Sequence, residues 1–532
     1  MTVSKPAGGV CSDVNDPRLD GNNSNDDDSS ENDSHVDKND SNENQLDENS
    51  GQSACPLTAT IEETSEGKFT SILMVGALVS VISSLLYGYD TGIISGALLQ
   101  IRAQFQMDDQ TTEMVTSAIL AGAIIGALAG SKLSERFGRR RTVMMLSLVF
   151  VVGSLASALA PAALELALAR VILGFAVGGA TQTVPMYIAE LAPSNHRGRL
   201  VLTFQIGIGT GIVIATIVGA AQSVSWRIAI GCAALPALLM LAMAWRLPES
   251  PRWLVEQGRH VEVARAVLQR LRGQSASVDS ELAGIVAIDD EQRQAARHES
   301  GWRGLRRPWV RPALVVGCGI AIFTQLSGIE MIVYYAPTIL TSNGFSHSTA
   351  LQVSVGLGVT YLIMMIAGLS VVDVVGRRRL TLMMVPGAAI SLFVLGGLFV
   401  TGHSDRDDVP FIVTCLIVFM FFNAGGLQLM AWLTGSEIYP LSVRGAGTSA
   451  QAATLWTTNL FITLTLLTLI NAVGVGQTMW LYGLFNVLAW VFVLVKMPDL
   501  TGRSLEDIEQ KLRSGHFRPA DFQRPSHAEP TA

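Results

Sequence analysis

Twelve stretches of this chain are almost unbroken apolar sequence, each about 18–25 residues long, the length a helix needs to cross about 30 Å of hydrocarbon. They fall near 71–98, 113–133, 142–160, 164–189, 200–222, 227–246, 313–340, 350–372, 380–400, 410–433, 446–470 and 477–496. In hydrocarbon a backbone can satisfy its hydrogen bonds only within itself, so each run is expected to be a spanning helix. Charge is scarce, at 15% of 532 residues, where a soluble domain carries about a quarter. It is also uneven: residues 1–67 hold 16 acids against Lys5, Arg18 and Lys38, a net −13, which leaves +6 of the total −7 for the remainder. The five cysteines, Cys11, Cys55, Cys232, Cys318 and Cys415, are scattered, so neither a disulfide framework nor a metal site is expected.

Residues 1–68 are rich in Asn, Asp, Ser and Glu, with little apolar surface to offset the entropy of ordering, and read as a disordered acidic tail. No basic leader followed by an apolar stretch opens the chain, so no cleaved signal is expected. Lysine and arginine set the sides. Lys132, Arg136 and Arg139–Arg141 follow the second run, Arg197 and Arg199 the fourth, Arg377–Arg379 the eighth and Arg444 the tenth; Arg252 to Arg311 fill the central segment. The opposite loops hold little beyond Arg102, Arg227 and Arg406. Positive loops remain in the cytosol, so both termini are expected there.

The hydrophilic segment 247–312 separates a six-span bundle at 69–246 from another at 313–496. Within it Ala264, Val267, Leu268 and Leu271 recur at helical spacing, which predicts an amphipathic helix. In the last segment, 497–532, Leu505, Ile508 and Leu512 share a face, with Ser504 and Asp507 placed to cap. A cytosolic set of helices is expected between spans 6 and 7 and after span 12.

Two signatures occur twice. ERFGRRR, Glu135 to Arg141, follows span 2 and DVVGRRR, Asp373 to Arg379, follows span 8. ELAPSNHRG, Glu190 to Gly198, follows span 4 and EIYPLSVRG, Glu437 to Gly445, follows span 10. Two halves of common design follow. Glycine allows a tight turn, and acids and arginines at helix ends can pair between helices. The expected cytosolic gating network is Glu135, Arg136, Arg139, Glu190, Arg197, Glu249, Arg252, Asp373, Arg377, Glu437 and Arg444.

With these repeats, GYDTGIISGAL (Gly88 to Leu98), LPESPRWLVEQGR (Leu247 to Arg259), YYAP (Tyr334 to Pro337) and PDLTGRSLEDIE near the end, the chain resembles the sugar porter family of the major facilitator superfamily over residues 69–512. The resemblance implies an all-α membrane protein of twelve transmembrane helices in two pseudo-symmetric halves, acting as a monomer on a small solute in a lipid bilayer. No cofactor beyond protons, no metal and no nucleic-acid partner are expected. No phosphate-cradling glycine loop, metal cluster or nucleophilic triad marks an enzyme.

Ionisable groups inside a membrane are costly, about 2.5–3.5 kcal/mol at a helix centre, and are functional candidates by default. Asp90 lies 20 residues beyond the start of span 1 near Thr70, and Arg170 lies 20 residues before Glu190 at the end of span 4, so the two share a depth. A fixed ion pair that packs spans 1 and 4 is one reading. The resemblance favours proton coupling, because proton-coupled members carry the aspartate of GYDT and an arginine in span 4. Glu330 stands where the family usually shows asparagine; it could accept from solute hydroxyls, bind a cationic group or serve as a second protonation site.

By offset along their helices, Gln205, Gln325, Gln428 and Trp456 fall near mid-membrane. The resemblance makes Gln205, Gln325, Tyr334, Trp456 and Asn459 solute contacts and puts Trp432 on the inner exit path. Thr324, Ile212, Leu455 and Leu427 replace the amides and the tryptophan usual there, which changes the hydroxyl pattern the cavity can satisfy. The expected function is proton-coupled symport of a monosaccharide, polyol or cyclitol by alternating access. The alternatives are a facilitative uniporter, an exporter of other organic solutes and a nutrient sensor that does not transport.

Overall fold

The computed structural model describes residues 70–522, apart from 222, 259, 273–276, 300, 403–407, 441, 502 and 504, and leaves the side chains of 194–202, 277, 288, 291–299, 436, 505 and 506, Leu505 among them, undescribed. The acidic tail, Ser504 and the side chains of Arg197 and Arg199 therefore lie outside the described residues.

Among the described residues, twelve helical stretches are long and apolar enough to cross a membrane. Spans 1 to 6 are Ser71–Phe105, Asp109–Phe137, Arg139–Leu159, Ala163–Leu191, Thr203–Ala220 and Trp226–Arg246. Spans 7 to 12 are Pro308–Ser342, His347–Val375, Arg377–Val400, Val409–Gly435, Arg444–Val473 and Val475–Lys496. In the first half span 2 packs along span 4 and span 1 along span 5; in the second, span 9 packs on spans 10 and 12 and span 7 on span 11. The halves meet where span 2 lies along span 11 and span 5 along span 8, with span 1 against the later part of span 7.

Packing this close depends on missing side chains. A Cβ at Gly174 of span 4 would run into the carbonyl oxygen of Ile119 of span 2, and one at Gly88 into that of Ile208 of span 5. The two repeated loops turn alike: Gly138 and Gly376 adopt φ of 92° and 95° between spans 2 and 3 and between spans 8 and 9, a region that side chains rarely enter.

Between the halves lie helices Pro251–Glu256, Val261–Arg272 and Ser277–Glu299. The stripe at Ala264, Val267, Leu268 and Leu271 is buried, and Arg272 donates to the Leu191 carbonyl at the end of span 4 (2.8 Å). The side carrying this segment is called here the linker face. Helix Leu505–Arg513 buries Ile508 and Leu512 and lays Arg513 over the Trp309 ring, 4.1 Å from its centroid. Asp507 pairs with Arg503 at 3.5 Å.

Candidate functional site

The middle of the second half is built on broken helices. Span 7 runs as one apolar stretch in sequence but divides into Arg311–Leu326 and Ile329–Ser342, with Gly328 at φ 94° in the gap. Asn486 of span 12 donates to the Ser327 carbonyl exposed by the break (2.8 Å). Span 10 divides likewise at Gly425 and Gly426, ahead of Leu427–Glu437. Such breaks leave backbone unpaired at membrane depth, which is tolerated where it lines a protein interior or cavity.

Buried polar side chains lie on these spans and their neighbours, and Tyr361 stands near both Glu330 and Gln428. Gln325, Glu330 and Tyr334 come from span 7, Gln428 from span 10, Trp456 and Asn459 from span 11 and Gln205 from span 5, all less than 9% exposed. Tyr87 of span 1 meets Trp456 edge-on across the halves, ring centroids 5.4 Å apart. Six buried atoms here lack a hydrogen-bond partner: Gln205 Nε2, Gln325 Oε1, Glu330 Oε2, Gln428 Oε1, Trp456 Nε1 and Asn459 Nδ2. Burying such groups unpaired is expensive, and the set, part donors and part acceptors, suits a ligand whose groups do both. The Thr324 hydroxyl donates to the Ile320 carbonyl of its own helix (2.7 Å). Trp432 is half-buried beyond the break in span 10. A small gap lined by Ile212, Thr216, Val333, Leu357, Tyr361 and Met420 among others lies between the halves.

Asp90 and Arg170 are 6% and 1% exposed. The Arg170 guanidinium acts electrostatically on the Asp90 carboxyl, yet no ion pair within 4.0 Å joins them, and Arg170 Nε and Nη1 have no hydrogen-bond partner. Asp90, Arg170 and Glu330 all act electrostatically on Tyr334, so one side chain lies near both the charged pair and the buried polar groups of the broken spans.

At the linker face the charges gather inside each half. Arg139 bonds Glu190 at 3.1 Å and Glu256 at 3.2 Å; Arg377 bonds Glu437 and Asp373, each at 2.8 Å. Glu249 accepts the backbone N–H groups of Arg139, Arg140 and Ser250 at 2.8, 3.0 and 3.0 Å. Burial pushes its carboxyl up, against the pull of those donors. Other members of the expected network make different contacts. Glu135 accepts from Ser131 (3.2 Å) and offers its carbonyl to Trp253 (2.8 Å). Arg136 lies over the Phe137 ring. Arg252 meets no acid among the described residues, and Arg444 Nε donates weakly to the Tyr439 carbonyl (3.4 Å). The reason is helical phase: spacing places a residue near a helix end and does not aim its side chain.

On the opposite, far face, a contact unmarked in the sequence crosses between halves. Glu113 in the first turns of span 2 is 3% exposed and accepts the Thr468 N–H (2.9 Å) and hydroxyl (2.8 Å) of span 11. Asn471 donates to Asp109 beside it (2.7 Å). Tyr87 and Tyr361 also escaped the sequence reading. The only signal for Tyr87 was its place one turn before Asp90.

Residues 76–512 match the profile of the family described as "Sugar (and other) transporter". The chain is 38% identical over 437 residues to a D-xylose transporter of Levilactobacillus brevis, covering 81% of this chain and 94% of that one. It is 35% identical over 443 residues to the galactose-proton symporter of Escherichia coli, covering 82% and 94%. Among solved structures it resembles the proton:xylose symporter XylE bound to 6-bromo-6-deoxy-D-glucose, with a TM-score of 0.70 at 28% identity over 83% of this chain and 99% of that one. The chain belongs to the sugar (and other) transporter family and is an integral multi-pass membrane transporter, not an enzyme.

Proposed function

We infer that the protein carries a small hydroxylated solute, a monosaccharide, polyol or cyclitol, across the membrane together with a proton, its two halves rocking about the central site. The observation that carries this reading is the buried, unpaired proximity of Asp90 and Arg170 next to Tyr334, which itself faces the solute-lining groups. With Asp90 ionised, the guanidinium and carboxylate attract; with Asp90 protonated that attraction is gone, and the preferred arrangement of spans 1 and 4 changes. The proton-coupled relatives support the same chemistry. The solute is held by Gln205, Gln325, Tyr334, Gln428, Trp456 and Asn459, and Trp432 lines its path to the linker face. That face is the cytosolic one, since it gathers the arginine-rich loops, so both ends of the chain are cytoplasmic; the functional unit is one chain.

Transport in proteoliposomes tests it. Wild-type protein should accumulate labelled solute under an inward proton gradient and also exchange it in counterflow. Asp90→Asn should abolish accumulation and spare counterflow. Equal loss of both would contradict the assignment of Asp90, and counterflow without accumulation in the wild type would leave a facilitative carrier.

A further inference from the structure

We propose that the arginines at the start of span 7 form a binding site for the headgroup of an anionic phospholipid at the linker face. Between Glu299 and Glu330 the sequence holds Arg303, Arg306, Arg307 and Arg311 and no acid. Span 7 begins at Pro308, so these residues stand where the chain enters the bilayer, at the level of the headgroups. Arg303, Arg306 and Arg311 are exposed, and their guanidiniums meet no acid or carbonyl among the described residues. The repeated loops differ. Arg139 and Arg377 bond acids, and Arg140 and Arg378 donate to the carbonyls of Trp245 and Leu494, so that of each GRRR run one arginine, Arg141 or Arg379, is left exposed.

The segment is also fixed in place. The Gly301 N–H donates to the Ser442 carbonyl (3.0 Å), and Leu305 and Val310 pack with Val443 and Ala446 at the start of span 11. The Arg306 N–H donates to the Arg303 carbonyl (3.2 Å), which sets these two side chains one turn apart. Guanidiniums grip a phosphate through paired N–H donors, and groups already held in place lose less motion on binding. Arginines that only choose the side of a loop need no such fixing. An acidic protein would also answer the charge, but Trp302, 40% exposed among the arginines, suits the headgroup layer, where an indole buries its apolar body and keeps its N–H wet. A phosphatidylcholine headgroup carries its own cation, whereas phosphatidylglycerol leaves its phosphate charge to the protein.

Native mass spectrometry of the full-length protein, titrated in detergent with phosphatidylglycerol or phosphatidylcholine of equal chain length, tests the site. The wild type should bind its first phosphatidylglycerol at least about tenfold more tightly than phosphatidylcholine, because each basic group near an anionic headgroup adds attraction. In the variant that combines Arg303→Gln, Arg306→Gln and Arg311→Gln this preference should fall below about threefold. A second variant, combining Lys132→Gln, Arg141→Gln and Arg379→Gln, removes the same charge from exposed positions of the repeated loops and should keep the preference; melting temperatures check that both fold. Four results would overturn the proposal: equal binding of the two lipids by the wild type, a preference that stays above about threefold in the first variant, an equal fall in both variants, which makes the attraction diffuse, or displacement of phosphatidylglycerol from the wild type by glycerol 1-phosphate or by an acidic peptide, which makes the patch a site for a soluble anion. Lipid binding is read without transport, so failure of the solute or proton assignments leaves this test intact.

Discussion

Glu113 offers a direct measurement of what holds the halves together at the far face. Its carboxylate takes one N–H and one O–H from Thr468 at 2.9 and 2.8 Å while 3% exposed. A hydrogen bond to a charged group contributes about 1.5–3 kcal/mol, and because both bonds share one carboxylate the lower end applies, about 3 kcal/mol for the pair. Both bonds must break when the ends of spans 2 and 11 separate. Glu113→Ala should therefore favour the far-open arrangement about 100-fold, so that a closed-to-open ratio of about 100 falls to about one. Glu113→Gln keeps one uncharged acceptor and should move the ratio about tenfold. Spin labels at Met114 and Leu464, exposed positions on spans 2 and 11, report the separation by double electron–electron resonance. A second, longer distance should grow in the order wild type, Gln, Ala. Ratios that stay within threefold of the wild type in both variants would refute the reasoning.

Other consequences are as concrete. Arg139 is 5% exposed as a side chain and holds Glu190 at 10%, so Arg139→Ala strands a buried carboxylate and should cost about 3–5 kcal/mol, read as a fall in thermal midpoint and in monodisperse yield. Gly174→Ala drives a Cβ into the Ile119 carbonyl and should abolish folding, whereas Gly356, with open space around it, should accept alanine in its helix and gain about 0.5–1 kcal/mol; size-exclusion profiles and melting curves of the pair check both. Glu249 holds its proton more tightly in the folded protein than in the unfolded chain. Its contribution is thus complete below the unfolded value, near ~4.3, and is lost as pH rises through the raised folded one. Glu249→Gln should then gain on the wild type in thermal midpoint between pH 5 and pH 8, and a constant difference would speak against the burial argument.

The architecture was legible because hydrocarbon leaves few options. Twelve apolar runs had to be helices, and two copies of a glycine–arginine loop had to turn alike, as Gly138 and Gly376 do. The breaks in spans 7 and 10 were not legible. Glycine is abundant in this chain, and Pro185, Pro337 and Pro386 all sit inside continuous helices, so neither residue alone marks an interruption. Depth arithmetic selected Gln205, Gln325, Gln428 and Trp456 because depth depends only on rise per residue. It does not tell which way a hydroxyl such as that of Thr324 turns, here to its own helix, because phase and rotamer are set by packing. Glu113 was invisible for another reason: an acid at the edge of an apolar run is ordinary, and its partner Thr468 lies 355 residues away.

The linker-face charges have a consequence for how the halves move. Arg139 and Arg377 follow equivalent glycines and each takes the glutamate ending the fourth span of its own half, Glu190 or Glu437. An equilibrium responds only to interactions that differ between its states, and among the described side chains these clusters join groups of one half while other contacts cross. Glu113 with Thr468 is one such contact and Tyr87 with Trp456 another; on the proposed reading a solute bound by the unpartnered atoms of the centre, drawn from span 5 on one side and spans 7, 10 and 11 on the other, adds more. Asp90 and Arg170 lie wholly in the first half, yet both act on Tyr334 of the second. On the proposed reading, a change of charge at Asp90 is felt across the boundary by Tyr334, which lies near the unpartnered polar groups of the centre, and this links proton to solute.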